Sequence, residues 1–161
     1  MSYLLHPPLL DETGLAEALR WYIQGLAERS GLEIALEVPA DFERLSREME
    51  LVMFRLVQEC LTNIHRHSGS KTAVILIARD RESVALEVQD EGKGIAAEKL
   101  VDLQSQGSGV GIRGMRERVR HFGGQMDIES NRGGTKISFK FPLPQDATAK
   151  REQIVGQESV V

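Results

Sequence analysis

The sequence predicts an α/β fold, a two-layer sandwich in which a mixed sheet of about five strands is backed by about three main helices. Three observations carry this. Apolar residues recur at helical spacing in some stretches and alternate strictly in others. Helical and alternating stretches interleave along the chain instead of segregating. The 161 residues are 41% hydrophobic, enough for one domain with a sizeable core.

Residues 1–13 read as an irregular lead-in, held by Pro7 and Pro8. In 15–29, Leu15, Leu19, Tyr22, Ile23 and Leu26 form one stripe of an amphipathic helix. "GLEIALEVP" alternates, with Leu32, Ile34, Leu36 and Val38 on one face, and Pro39 ends this strand. Ser46 caps a long helix expected to run to about His67, with Leu51, Phe54, Val57, Leu61 and Ile64 as its buried stripe. "TAVILIARD" and "SVALEVQDE" form a hairpin turning at Asp80–Glu82. "AAEKLVDLQSQ" is a short helix. "GVGIRGMRERVRHFGG" opens on glycines, becomes helical and stops at Gly123–Gly124. "QMDIES" and "TKISFKF" form a second hairpin across "NRGG", and Pro142 and Pro144 end the regular structure.

The formal charge of −4 gives no footing for broad binding to nucleic acid or an acidic membrane, so any basic site is local. The one cysteine, Cys60, excludes an internal disulfide and fits a reducing compartment. No apolar run approaches the roughly 18 residues of a membrane span, and the first residues lack the basic leader of a signal peptide.

Chemistry concentrates in three stretches. The first is "ECLTNIHRHSG". On a helix, Glu59, Asn63, Arg66 and His67 share one face. His65 and His67 are two apart, which suits no zinc pair. One reading is a solvated helix end, with Arg66 and His67 near the C-terminal dipole. The other is a hard-cation site: an Asn oxygen suits Mg²⁺, Arg66 would face phosphates, and Glu59 could accept a proton. That reading needs a phosphate-binding loop elsewhere.

The second stretch is "DEGKG", from Asp90 to Gly94, at a strand end. An ionised carboxylate only accepts hydrogen bonds, so Asp90 would suit an amino donor such as the adenine 6-amino group. Alone, the pentapeptide is also compatible with an acidic surface turn. The third is "GSGVGIRGMRER". Glycines running into a helix present N–H groups to an anion. Gly109, Gly111 and Gly114 also match GxGxxG, with Glu129 about 20 residues on. The fingerprint must follow a buried strand, however, and here it follows the polar "KLVDLQSQ". A dinucleotide site is therefore rejected, and no P-loop motif occurs.

Taken together and in this order, "QECLTNIHRHS", "DEGKG", "GSGVGIRGMRERV" and a "GGT" before the last strand resemble the catalytic and ATP-binding domain of sensor histidine kinases, nearest to the nitrate-sensor type. The resemblance covers roughly residues 4–142. It implies the Bergerat ATP-binding fold, with ATP and Mg²⁺ as cofactors. It implies that Asn63 holds Mg²⁺ and that Glu59 is the catalytic base or polarising residue. Arg66 and His67 would stand by the phosphates. Asp90 would take the adenine amino hydrogen, with Gly92, Gly94 and Ile95 shaping the pocket. Gly107, Gly109 and Gly111 would form the hinge and phosphate contact of a lid over 95–108, with Val110, standing where Leu is commoner, also at the nucleotide. Thr135 would reach adenine, through water.

The implied reaction moves the ATP γ-phosphate to a histidine on a separate dimerisation hairpin, for relay to a response regulator. Nothing in 1–58 resembles that hairpin, since His6 sits in "LLHPPLL". The expected layout is a connector at 1–13, the ATP-binding domain at 14–144 and a loose tail at 145–161. Expected partners are ATP or ADP, the hairpin and, indirectly, the regulator. Nucleic acid and membrane contact are not expected, the segment should be cytoplasmic, and the isolated domain should be monomeric. Alternatives are a serine kinase of the anti-sigma-factor type and a nucleotide-binding module without transfer.

Overall fold

The computed structural model describes residues 8–105 and 110–144. The elements run α1 (Pro8–Thr13), α2 (Leu15–Ser30), β1 (Glu33–Glu37), α3 (Arg47–Asn63), a π-helical turn (Ile64–Ser68), β2 (Thr72–Arg79), β3 (Ser83–Asp90), α4 (Ala97–Ser105), α5 (Val110–His121), β4 (Gln125–Asn131) and β5 (Gly134–Pro142).

The sheet order is β1-β2-β3-β5-β4. β1 and β2 are parallel, which requires a crossover, and α3 supplies it. The other pairs are antiparallel, so the sheet is mixed as expected. One face alternates into the core. Ile75, Val88, Ile137 and Ile128 lie in register across four strands and are all buried. Fully burying side chains of this size contributes roughly 1.5–3 kcal/mol each.

The helices cover this face. Leu15, Leu19, Tyr22 and Ile23 of α2 are buried, with Tyr22 edge-on to Phe54 of α3 at 5.6 Å between ring centroids. α3 is buried almost all round because it lies between the sheet and the other helices. α5 contributes Met115 and Val119.

Two expectations change. The lead-in is helical from Pro8 and adds Leu10 to the core. Proline suits the first helical position because that residue needs no N–H bond. The long helix also ends earlier: regular α-helix stops at Asn63, and Ile64–Ser68 form the wider π turn, closed by Gly69 in the left-handed conformation. Ser46 caps α3 as expected, accepting the Met49 N–H at 3.2 Å.

The start of α3 is tied down by charge. Glu50 is 2% exposed; it accepts from Arg44 at 3.0 Å and from the Leu15 N–H at 3.2 Å. Arg44 also donates to the carbonyls of Leu10 and Asp11. A carboxylate thus meets the free N–H end of α2, and a guanidinium meets the carbonyl end of α1. Among the described residues no helix is long and apolar enough to cross a membrane.

Candidate nucleotide site

The alternation that builds the core also builds the site. Along the core face, β3 reads Val84, Leu86, Val88, Asp90; β4 reads Met126, Ile128, Ser130; and β5 reads Phe141, Phe139, Ile137, Thr135. Each strand switches from apolar to polar at the same end of the sheet, one step beyond the last apolar row. Ser130 and Thr135 are in register there. Asp90 joins them, its Oδ1 accepting the Thr135 N–H at 3.3 Å and the Gly92 N–H at 2.8 Å. Its Oδ2 accepts no hydrogen bond from the described residues.

Over this polar row opens a cavity of about 600 Å³, within the size range of small-molecule sites. Cys60, Ile64, Val88, Ile95, Ile112 and Ile137 give it apolar walls. Among the described residues, Asp90 is the one carboxylate on its wall, against Arg66, Lys93 and Lys99, with His67 beside them. In a chain of formal charge −4 this is a local basic site. An apolar slot with a carboxylate and several cations fits a ligand with a planar base and a polyanionic tail.

Of the residues singled out from sequence, the cavity brings together Asn63, Arg66, His67, Asp90, Gly94, Ile95, Gly111 and Thr135. Glu59 and Gly92 are not on its wall. Gly92 lies behind it, where a Cβ would strike the Ser68 carbonyl, and the next N–H, Lys93, bonds that carbonyl at 3.0 Å. Glu59 packs its carboxylate against Gly111, and a Cβ there would have to displace it. Gly107 and Gly109 lie outside the described residues, as does the end of the expected lid. Gly111 belongs to the first turn of α5 and not to a loop.

The loop after Asp90 and the β4–β5 turn are locked together. Gly94 has φ +75 and sits against the Asn131 carbonyl, while Gly134, with φ +142, sits against the Asp90 carbonyl. Only glycine combines those dihedrals with that approach. Sequence reading missed Lys93, Lys99, Ser68 and Ser130. Lys93 lies inside "DEGKG", and the strand alternation points to Ser130.

At the cavity floor the Cys60 thiol lies 3.9 Å from Met115 Sδ. Burial, with the neighbouring Glu59 charge, pushes its pKa far up. It is an inert core thiol.

The sequence profile of the histidine kinase-, DNA gyrase B- and HSP90-like ATPases matches residues 49–145, more than half of the chain and all of the cavity. The chain belongs to this ATPase family. Its relatives include the sensor histidine kinase MctS of Rhizobium johnstonii, 31% identical over 152 residues. They also include the histidine-protein kinase/phosphatase DegS of Bacillus subtilis, 34% identical over 141 residues, and the sensor histidine kinase NarS of Mycobacterium tuberculosis, 29% identical over 142. These alignments cover 94%, 85% and 88% of this chain but 32%, 36% and 32% of the relatives. The chain thus spans about a third of their length.

Among solved structures, the histidine kinase domain of the Erythrobacter litoralis EL346 blue-light-activated kinase matches with a TM-score of 0.64 at 25% identity, covering 80% of this chain and 61% of that one. Acinetobacter baumannii AdeS, at 18% identity, shares the fold with a TM-score of 0.62, over 81% of this chain and 64% of its own. The five-stranded mixed sheet with its helices is the ATP-binding fold of these histidine kinase domains, as the sequence predicted.

Proposed function

We propose that this ATPase-family chain is the catalytic domain of a sensor histidine kinase, binding ATP with Mg²⁺ and presenting the γ-phosphate to a histidine on a separate helical hairpin. The cavity carries the proposal: one carboxylate is set at an apolar slot and cations line the same wall. Asp90 Oδ2 would take the base amino hydrogen. Arg66, Lys93 and Lys99 would balance the phosphate charge.

Asn63 suits the metal. Its side chain reaches the cavity and makes no hydrogen bond with the described residues, so its carboxamide oxygen is available. Mg²⁺ needs only one or two protein ligands alongside phosphate and water oxygens. When bound, it would neutralise charge on the transferring phosphate. In the transfer, the histidine nitrogen attacks Pγ, the bond to the β,γ-bridging oxygen breaks, and ADP leaves.

Glu59 lies one helical turn before Asn63. Its role as a base would require its carboxylate to turn from Gly111 toward the cavity.

The partners in this reading are the phosphoacceptor hairpin and, through it, a response regulator. Cytoplasmic placement, where ATP is present, and the nitrate-sensor subtype belong to the same proposal. The test supplies a histidine hairpin from a related kinase together with γ-labelled ATP. Acid-labile label on the hairpin, lost in Asn63→Ala, is expected. Tight ATP binding without transfer would make the chain a binding module. Acid-stable label on a serine would make it a serine kinase.

A further inference from the structure

Ser130 is not on the cavity wall, yet its hydroxyl joins several parts of the site. Oγ accepts the Ile95 N–H at 2.8 Å, stands 2.8 Å from Thr135 Oγ1 and lies 3.3 Å from the Gly134 carbonyl. A hydroxyl has one proton and two lone pairs. With the Ile95 N–H on one lone pair, two proton arrangements remain. In the first, Ser130 donates to Gly134 and accepts from Thr135, so Thr135 offers only lone pairs to the cavity. In the second, Ser130 donates to Thr135, and the Thr135 proton becomes free for a ligand. The second gives up only the longer of the two bonds.

The edge of adenine carries a ring-nitrogen acceptor beside its amino donor. Asp90 complements the donor and, in the second arrangement, Thr135 complements the acceptor, directly or through one water. We propose that Ser130 is a positioning residue for base recognition: it turns the Thr135 hydroxyl into a donor toward the base, and its bond to Ile95 couples that recognition to the segment leading into α4. The proposal rests on the adenine-nucleotide reading above. The close seat of Gly94 on the β4–β5 turn, where an added Cβ would come within 3.1 Å of Ser130 Oγ, holds Ile95 within reach of that hydroxyl.

The test is calorimetric titration with ADP of the wild type, Ser130→Ala, Ser130→Thr, Thr135→Val and the Ser130→Ala/Thr135→Val double variant, with amide exchange of Ile95 followed by NMR. Ser130→Ala is expected to weaken ADP about five- to tenfold, the size of one hydrogen bond, and to speed Ile95 exchange by a similar factor. Ser130→Thr should restore both. In the Thr135→Val background, Ser130→Ala should change ADP affinity less than about twofold, because its effect runs through Thr135. A purely structural role would give additive losses, and additivity overturns the proposal. So does a Ser130→Ala variant with wild-type affinity. Wild-type protein that binds no ADP would overturn the nucleotide reading as well; ADP binding that depends on Asp90 but not on Ser130 would overturn only this inference.

Discussion

At the start of α3, Glu50 is buried and divides its oxygens between Arg44 and the Leu15 N–H. At the end of the same helix and its π turn, Asn63, Arg66 and His67 face a cavity, and their side chains make no hydrogen bond with the described residues. A buried charge needs partners, so the first end holds the fold together. Polar groups without partners keep their hydrogen-bonding capacity for a ligand. The π turn helps set the second end apart. Such turns are rare and are frequently found at functional sites. In the proposed function, one helix thus separates stability from chemistry by about four turns.

Substitutions at the two ends should therefore separate stability from binding. The two largest effects, equal in size, are expected one on each side, and the structural end comes first. Glu50→Ala should cost roughly 1.5–3 kcal/mol of stability, the value of hydrogen bonds to a charged group. Arg44 is half exposed and can be rehydrated, which keeps the loss at that level. Chemical denaturation measures it, and the ADP affinity of the folded protein should stay within about twofold, since Glu50 is not on the cavity wall. A large affinity loss with unchanged stability would reverse the assignment.

In the cavity faced by the other end, Asp90→Asn of β3 should weaken ADP by roughly 1.5–3 kcal/mol, because a charge-assisted hydrogen bond to the base is replaced. Unchanged affinity would remove Asp90 from the base site. Arg66→Ala should have a smaller effect, about 0.2–1 kcal/mol, since Arg66 is solvent-exposed. That loss should shrink as salt is raised; a salt-independent loss would mean that packing, not charge, was removed.

The smallest effect lies far from both ends. Asp80 accepts the Glu82 and Ser83 N–H groups at the β2–β3 turn, which lower its pKa below the ordinary carboxylate value. A lowered pKa stabilises the fold above the unfolded-state pKa and loses that contribution as pH falls through the folded value. Asp80→Asn should flatten this part of the acid limb of the thermal-melting profile, below about pH 4. An unchanged acid limb would mean that the turn forms equally well with neutral Asp80.

The apolar patterns made the strands legible because burial on one face imposes a period of two. Asp90 and Thr135 stood out beside glycines, but Ser130 did not, although it closes the same alternation in β4. Helix limits were harder to read. The Pro7–Pro8 pair suggested a break, but Pro8 starts α1, where its missing N–H costs nothing. The apolar stripe of α3 continues through Ile64, so periodicity alone could not show that the backbone widens after Asn63. Glu59 was assigned to the ligand face on the same helical wheel. It fell under α5 instead, because the wheel carries no information about which helix packs above it.

We propose the far end of α3 as a nucleotide–metal site. ADP titration with and without Mg²⁺, for the wild type and Asn63→Ala, tests it most directly. Mg²⁺ is expected to tighten ADP binding to the wild type, and Asn63→Ala, equally well folded, to lose that response. Folded wild type that binds no ADP, or a variant that keeps the full magnesium response, would contradict it.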